Sequence, residues 1–212
     1  MMDYKEMVQN GRNALSYVPK EHRTFDLCKL AVQNDGNALY HVPKKHRTFD
    51  LYKLAVQNDG NALSYVPKEH ITFDLCKLAV QNDGNALRHV PKDLDKHDEL
   101  VLYFKNKYLN VHFKKETRGY IVYKTFNSQY SAPKEWIIEK NSEIIENDLD
   151  RNCEKSCGRG INVATKKWVK KNYGNDQIWK CLLKFEDFDD IVVPYGTDGK
   201  IRCRKLTILE KV

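Results

Sequence analysis

The nine-residue stretch AVQNDGNAL, at residues 31–39, indicates the fold of the first half of the chain because it recurs. The same nine letters return at residues 55–63 and 79–87, which is a gapless period of 24 residues. A diverged copy, MVQNGRNAL, stands in register at residues 7–15, and a degraded fifth copy begins at Leu94. Self-similarity at a fixed period of this length predicts a short α-helical solenoid of stacked units.

Each 24-residue unit predicts two short helices. In one copy Thr48 is a suitable N-cap, and Leu51 and Ala55 lie at helical spacing on the apolar face. Gly60 is expected to end this first helix in a left-handed C-cap, and Pro67 stops the second helix. Neither helix can bury its apolar face alone, so the copies are expected to stack, with the degraded copy as a cap.

The charge distribution divides the chain into two domains. Residues 1–100 hold 14 basic and 14 acidic residues, so the net charge of +7 lies entirely in the remainder. All seven histidines lie at or before His112. We therefore predict an all-α repeat domain at residues 1–112 and a basic domain at residues 113–212.

The sequence of the second domain predicts a small α+β fold with a mainly antiparallel sheet. Segments rich in β-branched and aromatic residues indicate strands at 119–126, 136–139, 143–146, 178–185, 191–195 and 200–204. Thr165 is a suitable N-cap for a helix that ends at Gly174. Asp198-Gly199 predicts a hairpin turn between the last two strands, and Pro194 places the first of them at a sheet edge.

Composition excludes several classes of protein. Aromatic residues make up 11% of the chain, which is too many for a disordered protein, although the mean hydropathy is −0.68. No run reaches the roughly 18 apolar residues of a membrane span. Residues 1–6 lack the apolar core of a signal peptide, so we expect neither secretion nor membrane association. The six sparse cysteines are expected to be reduced.

The 24-residue unit and its Val-Pro stop resemble a helical repeat family of unknown function, common in giant DNA viruses of the mimivirus type and in some intracellular bacteria. This resemblance covers roughly residues 3–104. The second half is similar to an uncharacterised viral domain with a Cys-x-x-Gly-Ile-His stretch and a terminal Lys-x-Arg-Cys-Arg strand. These are residues 157–162 and 200–204 here, with Asn162 where the histidine is expected. The resemblance implies an intracellular protein of the host cytoplasm, the virus factory or the virion, and no known reaction.

Positions that differ between the copies predict a surface row, because the invariant positions around them are expected to form the core. The variable positions are Ser16, Tyr17, Tyr40, His41, Ser64, Tyr65, Arg88 and His89. The candidate binding residues among them are Tyr40, His41, Tyr65, Arg88 and His89. One interpretation is a face that binds a protein partner of unknown identity through aromatic and basic groups. The alternative is a solvated face that drifts freely after duplication.

Basic side chains predict a second surface. The predicted helix carries Lys166, Lys167, Lys170 and Lys171, and the terminal strand carries Arg202 and Arg204. Lysines at i and i+4 share a helix face, which would attract phosphates in a salt-sensitive way. A solvated charged face is the simplest explanation of these lysines. The leading prediction is therefore a non-enzymatic protein–protein interaction or scaffold protein. The alternative is nucleic-acid or polyanion binding through the basic domain.

An enzyme ranks last of these hypotheses. Cys153, Cys157, Cys181 and Cys203 include a pair at zinc-ligand spacing, but burial as small hydrophobic residues explains Cys181 and Cys203 better. Cys157 as a nucleophile lacks a histidine in its own domain. The sequence also lacks a phosphate-binding glycine loop, a serine elbow and a zinc-protease helix, so no cofactor is expected.

Overall fold

A computed structural model describes residues 3–126, 132–174 and 177–212 of the chain. The chain divides into two compact units, Met1–Phe104 and Lys105–Val212. Helical repeats in the first unit and an antiparallel sheet with a helix in the second confirm the predicted fold class. Met1 and Met2 lie outside the described residues. They belong to residues 1–6, from which we predicted that the chain has no signal peptide.

The repeats alternate α-helices with 3-10 helices. The α-helices are α1 (Tyr4–Asn10), α2 (Phe25–Asn34), α3 (Phe49–Asn58), α4 (Phe73–Asn82) and the longer α5 (His97–His112). The 3-10 helices are Ala14–Tyr17, Lys20–His22, Gly36–His41, Lys44–His46, Gly60–Tyr65, Lys68–His70 and Gly84–His89. The second helix of each unit is thus a 3-10 helix, the geometry that short helical segments between turns often adopt.

Capping threonines begin the repeat helices. The Thr48 hydroxyl accepts from the Leu51 N–H at 3.3 Å, which confirms Thr48 as the N-cap, and Thr24 and Thr72 do the same in their copies. The predicted left-handed C-cap at Gly60 is wrong, because Asp59 is the C-cap and its backbone is extended. Gly60 is needed instead for close packing, since a Cβ there would collide with the carbonyl oxygen of Ala79 in the next repeat.

The invariant asparagines join neighbouring repeats. The Asn58 side chain accepts from the Gly36 N–H at 3.1 Å and donates to the Gln33 carbonyl at 2.6 Å. Asn82 makes the equivalent bonds one repeat later, to Gly60 at 2.9 Å and to a backbone carbonyl of α3 at 2.7 Å. These residues therefore recur because they satisfy backbone groups between stacked units.

The second unit is built on one antiparallel sheet. Its described strands are β1 (Lys114–Glu116), β2 (Gly119–Thr125), β3 (Glu143–Ile145), β4 (Ile161–Ala164), β5 (Ile178–Lys184), β6 (Ile191–Val192), β7 (Lys200–Cys203) and β8 (Lys205–Lys211). Their order is β3-β8-β5-β2-β4-β7-β6, and β1 pairs with β2 beside this path. A 3-10 helix, Phe185–Asp190, precedes β6. Helix α6 (Lys166–Tyr173) packs against β2.

Most of the predicted local elements of this unit are present. β6 pairs with β7 as the predicted hairpin, and β6 lies at the sheet edge and ends before Pro194. Thr165 caps α6 by accepting from the Trp168 N–H at 3.2 Å. The strand predicted at 136–139 is wrong: this segment has no strand, its Ile137 is 63% exposed, and the Trp136 indole donates to the Ile145 carbonyl.

None of the helices among the described residues is long and apolar enough to cross a membrane.

Candidate functional site

The variable positions of the repeats lie on their 3-10 helices. We name as the variable row the residues Ser16, Tyr17, Tyr40, His41, Ser64, Tyr65, Arg88 and His89. Tyr17 is 78% exposed and Tyr40 is 62% exposed, which is unusual for side chains of this size. Arg88 is also exposed, whereas His41, Tyr65 and His89 are half-buried.

Neighbouring side chains fix the backbone of this row. The Arg47 guanidinium donates to the carbonyls of Val42 at 2.9 Å and Tyr40 at 3.1 Å. The Arg23 guanidinium donates to the His41 carbonyl at 2.8 Å from the preceding repeat. The Tyr40 ring lies 5.4 Å from the Tyr65 ring, centroid to centroid, so the two aromatic side chains form one continuous patch.

The histidines of the row are shifted toward the neutral form. Burial lowers the pKa of His41, and the nearby Arg23 charge lowers it further. Burial likewise lowers the pKa of His89, with a smaller contribution from Arg88. The row therefore presents aromatic and neutral hydrogen-bonding groups more than positive charge at neutral pH.

Helix α6 presents a cationic face. Lys167, Lys170 and Lys171 are exposed, and Lys166 lies with its amine 5.7 Å from the centre of the Tyr123 ring. None of these four lysines pairs with an acidic side chain among residues 3–126, 132–174 and 177–212. The opposite side of the helix docks through Val169 into a small apolar cluster.

The two arginines of the terminal strand differ in position. Arg202 is fully buried, and its guanidinium donates to the carbonyls of Asp150, Asn152 and Lys155. It therefore holds a loop and is unavailable to a phosphate. Arg204 is exposed, but its guanidinium lies 3.8 Å from an Asp190 carboxylate oxygen, which partly neutralises it.

The four cysteines of the second unit have separate surroundings. Cys181 and Cys203 are fully buried, and burial raises the pKa of both thiols, that of Cys181 to about 12. Cys153 is half-buried, and Cys157 is exposed. In the described parts of the chain, no three His, Cys, Asp or Glu side chains come together in a group that could hold a metal ion.

A cavity of about 610 Å³ lies beside α6. Its aromatic wall consists of Tyr123, Phe126, Trp136, Trp168 and Tyr173. Cys157, Lys124, Lys200 and Asn162 form a polar region of its lining. The cavity therefore brings together residues of β2, β4, α6 and β7 with two loops.

Cys157 is paired with a lysine at this cavity. The Lys200 ammonium donates to the Cys157 sulfur, and this hydrogen bond lowers the pKa of the thiol. The ammonium also lies 5.6 Å from the centre of the Trp168 ring. A lysine thus supplies the stabilisation of a thiolate for which the sequence offers no histidine.

Lys124 and Asn162 adjoin this pair. The Lys124 amine donates to the Asn162 backbone carbonyl at 3.2 Å, and burial lowers the pKa of this lysine. The Asn162 amide nitrogen donates to the Gly158 and Gly160 carbonyls. The Asn162 amide oxygen is buried and accepts no hydrogen bond from the described residues.

Sequence reasoning missed Lys124 and Lys200 as members of a site. Lys124 carried a local signal, since it is a charged residue within the strongly apolar strand GYIVYKT. Lys200 stood out only as the first residue of the terminal Lys-x-Arg-Cys-Arg strand, because its partner Cys157 lies 43 residues away in the sequence. Asn162 was noted only as a departure from an expected histidine.

We expect Cys157 to react faster than the four buried thiols of the folded chain. Iodoacetamide should alkylate it ahead of Cys28, Cys76, Cys181 and Cys203, because those four thiols are buried and have raised pKa values. Lys200→Met should shift the pH midpoint of Cys157 alkylation upward, since it removes the cation that stabilises the thiolate. Mass spectrometry of timed digests measures both effects. Lys211→Met, at an exposed position, is the control, and an unchanged midpoint in Lys200→Met would contradict the pairing.

The repeats of the first unit match a family model. No curated protein and no solved structure matches the chain. Two overlapping segments, residues 24–71 and 48–95, match the model of a domain of unknown function, DUF4116. Each matched segment spans two of the 24-residue periods, and together they cover α2 to α4. The central repeats of this chain are therefore similar to a domain whose function is unknown.

Proposed function

We propose that the protein is a non-enzymatic interaction protein whose variable row binds a protein partner. The observation that carries this proposal is the exposure of Tyr17 and Tyr40 on a backbone that Arg23 and Arg47 fix in place. Tyrosine offers a large contact area for little loss of side-chain entropy, and it is enriched at protein interfaces. A fixed backbone also lowers the ordering cost of binding.

The charge of the row favours a particular kind of partner surface. Because His41 and His89 are shifted toward the neutral form, an acidic partner gains little from them at neutral pH. Aromatic faces and tyrosine hydroxyls favour an apolar segment flanked by hydrogen-bonding groups. Binding through the row should therefore depend weakly on salt, in contrast to binding through lysines.

Photo-crosslinking from the row tests this proposal. A photoreactive phenylalanine analogue replaces Tyr40 or, as the matched control, the exposed Gln57 of α3. We expect one protein to be crosslinked from position 40 and not from position 57. A Tyr17→Ala/Tyr65→Ala background should reduce this crosslink at least about tenfold. The same adducts from both positions, or an unchanged yield in the alanine background, would contradict the proposal.

A second candidate function, polyanion binding through the second unit, is favoured by the lysines of α6. The eight-residue helix carries four ammonium groups, and none of them has an acidic partner among the described residues. When such groups bind the phosphates of a nucleic acid, they release its counterions, which favours binding. The buried Arg202 is left out of this surface, and Arg204 contributes less than a free cation because of Asp190.

Heparin retention tests this second function. We expect the full chain to elute at a higher salt concentration than a Lys167→Ala/Lys170→Ala/Lys171→Ala variant, because each lost contact between an ammonium group and a sulfate of heparin weakens binding. The control is Lys114→Ala/Lys184→Ala/Lys205→Ala, which removes three lysines that already pair with acidic side chains. Equal losses in both variants would show a response to total charge and would contradict a site on α6.

We also propose a viral source and an intracellular place of action for the chain. Support comes from the resemblance of the repeats to those of giant DNA viruses. Immunofluorescence of infected cells with an antibody to residues 113–212 tests this proposal, and a signal confined to the exterior of the cells would contradict it.

A further inference from the structure

The lining of the cavity beside α6 combines two kinds of side chain. Five are aromatic, namely Tyr123, Phe126, Trp136, Trp168 and Tyr173. Lys124, Lys200, Cys157 and Asn162 supply polar groups to the same lining. At about 610 Å³ the cavity falls within the range of small-molecule sites, about 300–1,000 Å³. Its ligand should therefore combine a flat apolar body with a polar group.

The cations of the cavity call for an anionic group. Lys124 is largely buried and forms no ion pair with an acid among the described residues, so its ammonium lacks a counterion there. The Lys200 ammonium lies 5.6 Å from the centre of the Trp168 ring and lines the same cavity as Lys124. A buried cation is costly unless an anion neutralises it, and a phosphate accepts from several such donors at once.

The two acids in the lining do not fill this role. The Asp148 carboxylate pairs with the Arg159 guanidinium, and the Glu146 carboxylate accepts from the Asp148 backbone N–H at 3.1 Å. Neither acid forms an ion pair with Lys124 or Lys200 in the described parts of the chain.

Asn162 adds an unsatisfied acceptor. Its amide nitrogen is held by two glycine carbonyls, so the buried amide oxygen is left without a donor among the described residues. A buried polar atom without a partner costs free energy, which a ligand N–H or O–H would recover. The ligand should thus carry a hydrogen-bond donor as well as an anion and a flat ring.

We propose that this cavity binds a nucleoside monophosphate, with the base against the aromatic wall and the phosphate at Lys124 and Lys200. Every nucleobase has a flat face that stacks on aromatic side chains, and its sugar and base carry donors for the Asn162 oxygen. Lysine is a common phosphate ligand in proteins. The site is separate from the exposed lysines of α6, so it does not depend on polyanion binding.

Titration of the full chain tests the proposal. Tryptophan fluorescence is measured with adenosine, guanosine, cytidine and uridine 5′-monophosphates and with the four nucleosides. We expect at least one nucleotide to bind with a Kd below about 1 mM and its nucleoside to bind at least about tenfold more weakly. Bound nucleotide should also slow the alkylation of Cys157, because this thiol lines the cavity. No binding by any of the four nucleotides would overturn the proposal.

Two variants locate the phosphate. Lys124→Met and Lys200→Met should each remove most of the preference for the nucleotide over the nucleoside, because each deletes a cation and keeps an unbranched side chain that is only one atom shorter. Lys140→Met, at an exposed position, should keep it, as should Lys167→Ala/Lys170→Ala/Lys171→Ala. If Lys124→Met and Lys200→Met both retain the full preference, the assignment is wrong. Should one of them fail to fold, Cys157 protection in the unchanged chain still decides.

A free nucleotide and the end of a nucleic-acid strand share this chemistry. A 5′-phosphorylated tetranucleotide distinguishes them: tighter binding than the mononucleotide assigns the strand end, and equal or weaker binding assigns the free nucleotide. Either result supports the site, provided that Lys124→Met weakens it.

Discussion

Arg202→Met is expected to lower the free energy of unfolding of the second unit by about 3 kcal/mol. The Arg202 guanidinium donates four hydrogen bonds, to the carbonyls of Asp150, Asn152 and Lys155, and the side chain has no exposed surface. Methionine replaces only the aliphatic stem of arginine and donates nothing, so these carbonyls and their loop lose their anchor. Tryptophan fluorescence during urea unfolding measures this effect selectively, because all three tryptophans lie in the second unit.

Two further variants separate burial from charge. Arg204→Met removes an exposed arginine on the same segment, and we expect a change within about 0.5 kcal/mol. Arg202→Lys keeps the charge but cannot donate in four directions, so it should recover less than half of the loss. A fully stable Arg202→Met, or heparin retention that falls without any loss of stability, would show that Arg202 is a surface cation after all.

Gly60→Ala is expected to lower the free energy of unfolding of the first unit by about 2–3 kcal/mol. A Cβ at Gly60 would collide with the Ala79 carbonyl oxygen, and backbone of the neighbouring repeat cannot move away as a flexible side chain could. The two repeats would have to separate, which would also strain the bond from the Gly60 N–H to Asn82. Far-UV circular dichroism during urea unfolding measures the loss, since the first unit is helical.

The matched control for this variant lies in the same repeat. Gln57→Ala changes an exposed side chain of α3. Asn82 bonds to the backbone carbonyl of Gln57, which this substitution keeps, so the change in stability should stay within about 0.5 kcal/mol. Tryptophan fluorescence reports the second unit and serves as an internal check on Gly60→Ala. Equal stability of Gly60→Ala and Gln57→Ala would mean that the repeats do not approach as closely as the structure has them.

The repeats were predictable because the residue patterns that indicate their helices are local and recur in several copies. The 24-residue period, the threonine caps and the apolar faces all follow from spacing within one unit. The role of Gly60 did not, since its neighbour Ala79 belongs to the next repeat, and a glycine after a helix is more often a left-handed cap. Similarly, β-propensity at 136–139 could not show whether a partner strand lies alongside, and no strand forms there.

Local residue patterns suffice to predict the stacked repeats, the positive charge of the second half, the capped lysine helix and the hairpin, because each depends on residues close in the chain. The three-dimensional structure was needed to show that a loop covers Arg202, since alternation with the buried Ile201 and Cys203 would place Arg202 toward solvent. It also decided that Cys157 meets Lys200 and that Lys124 and Asn162 border the same cavity. Contacts of this kind depend on the order of the strands and the path of the loops, which local sequence patterns cannot predict.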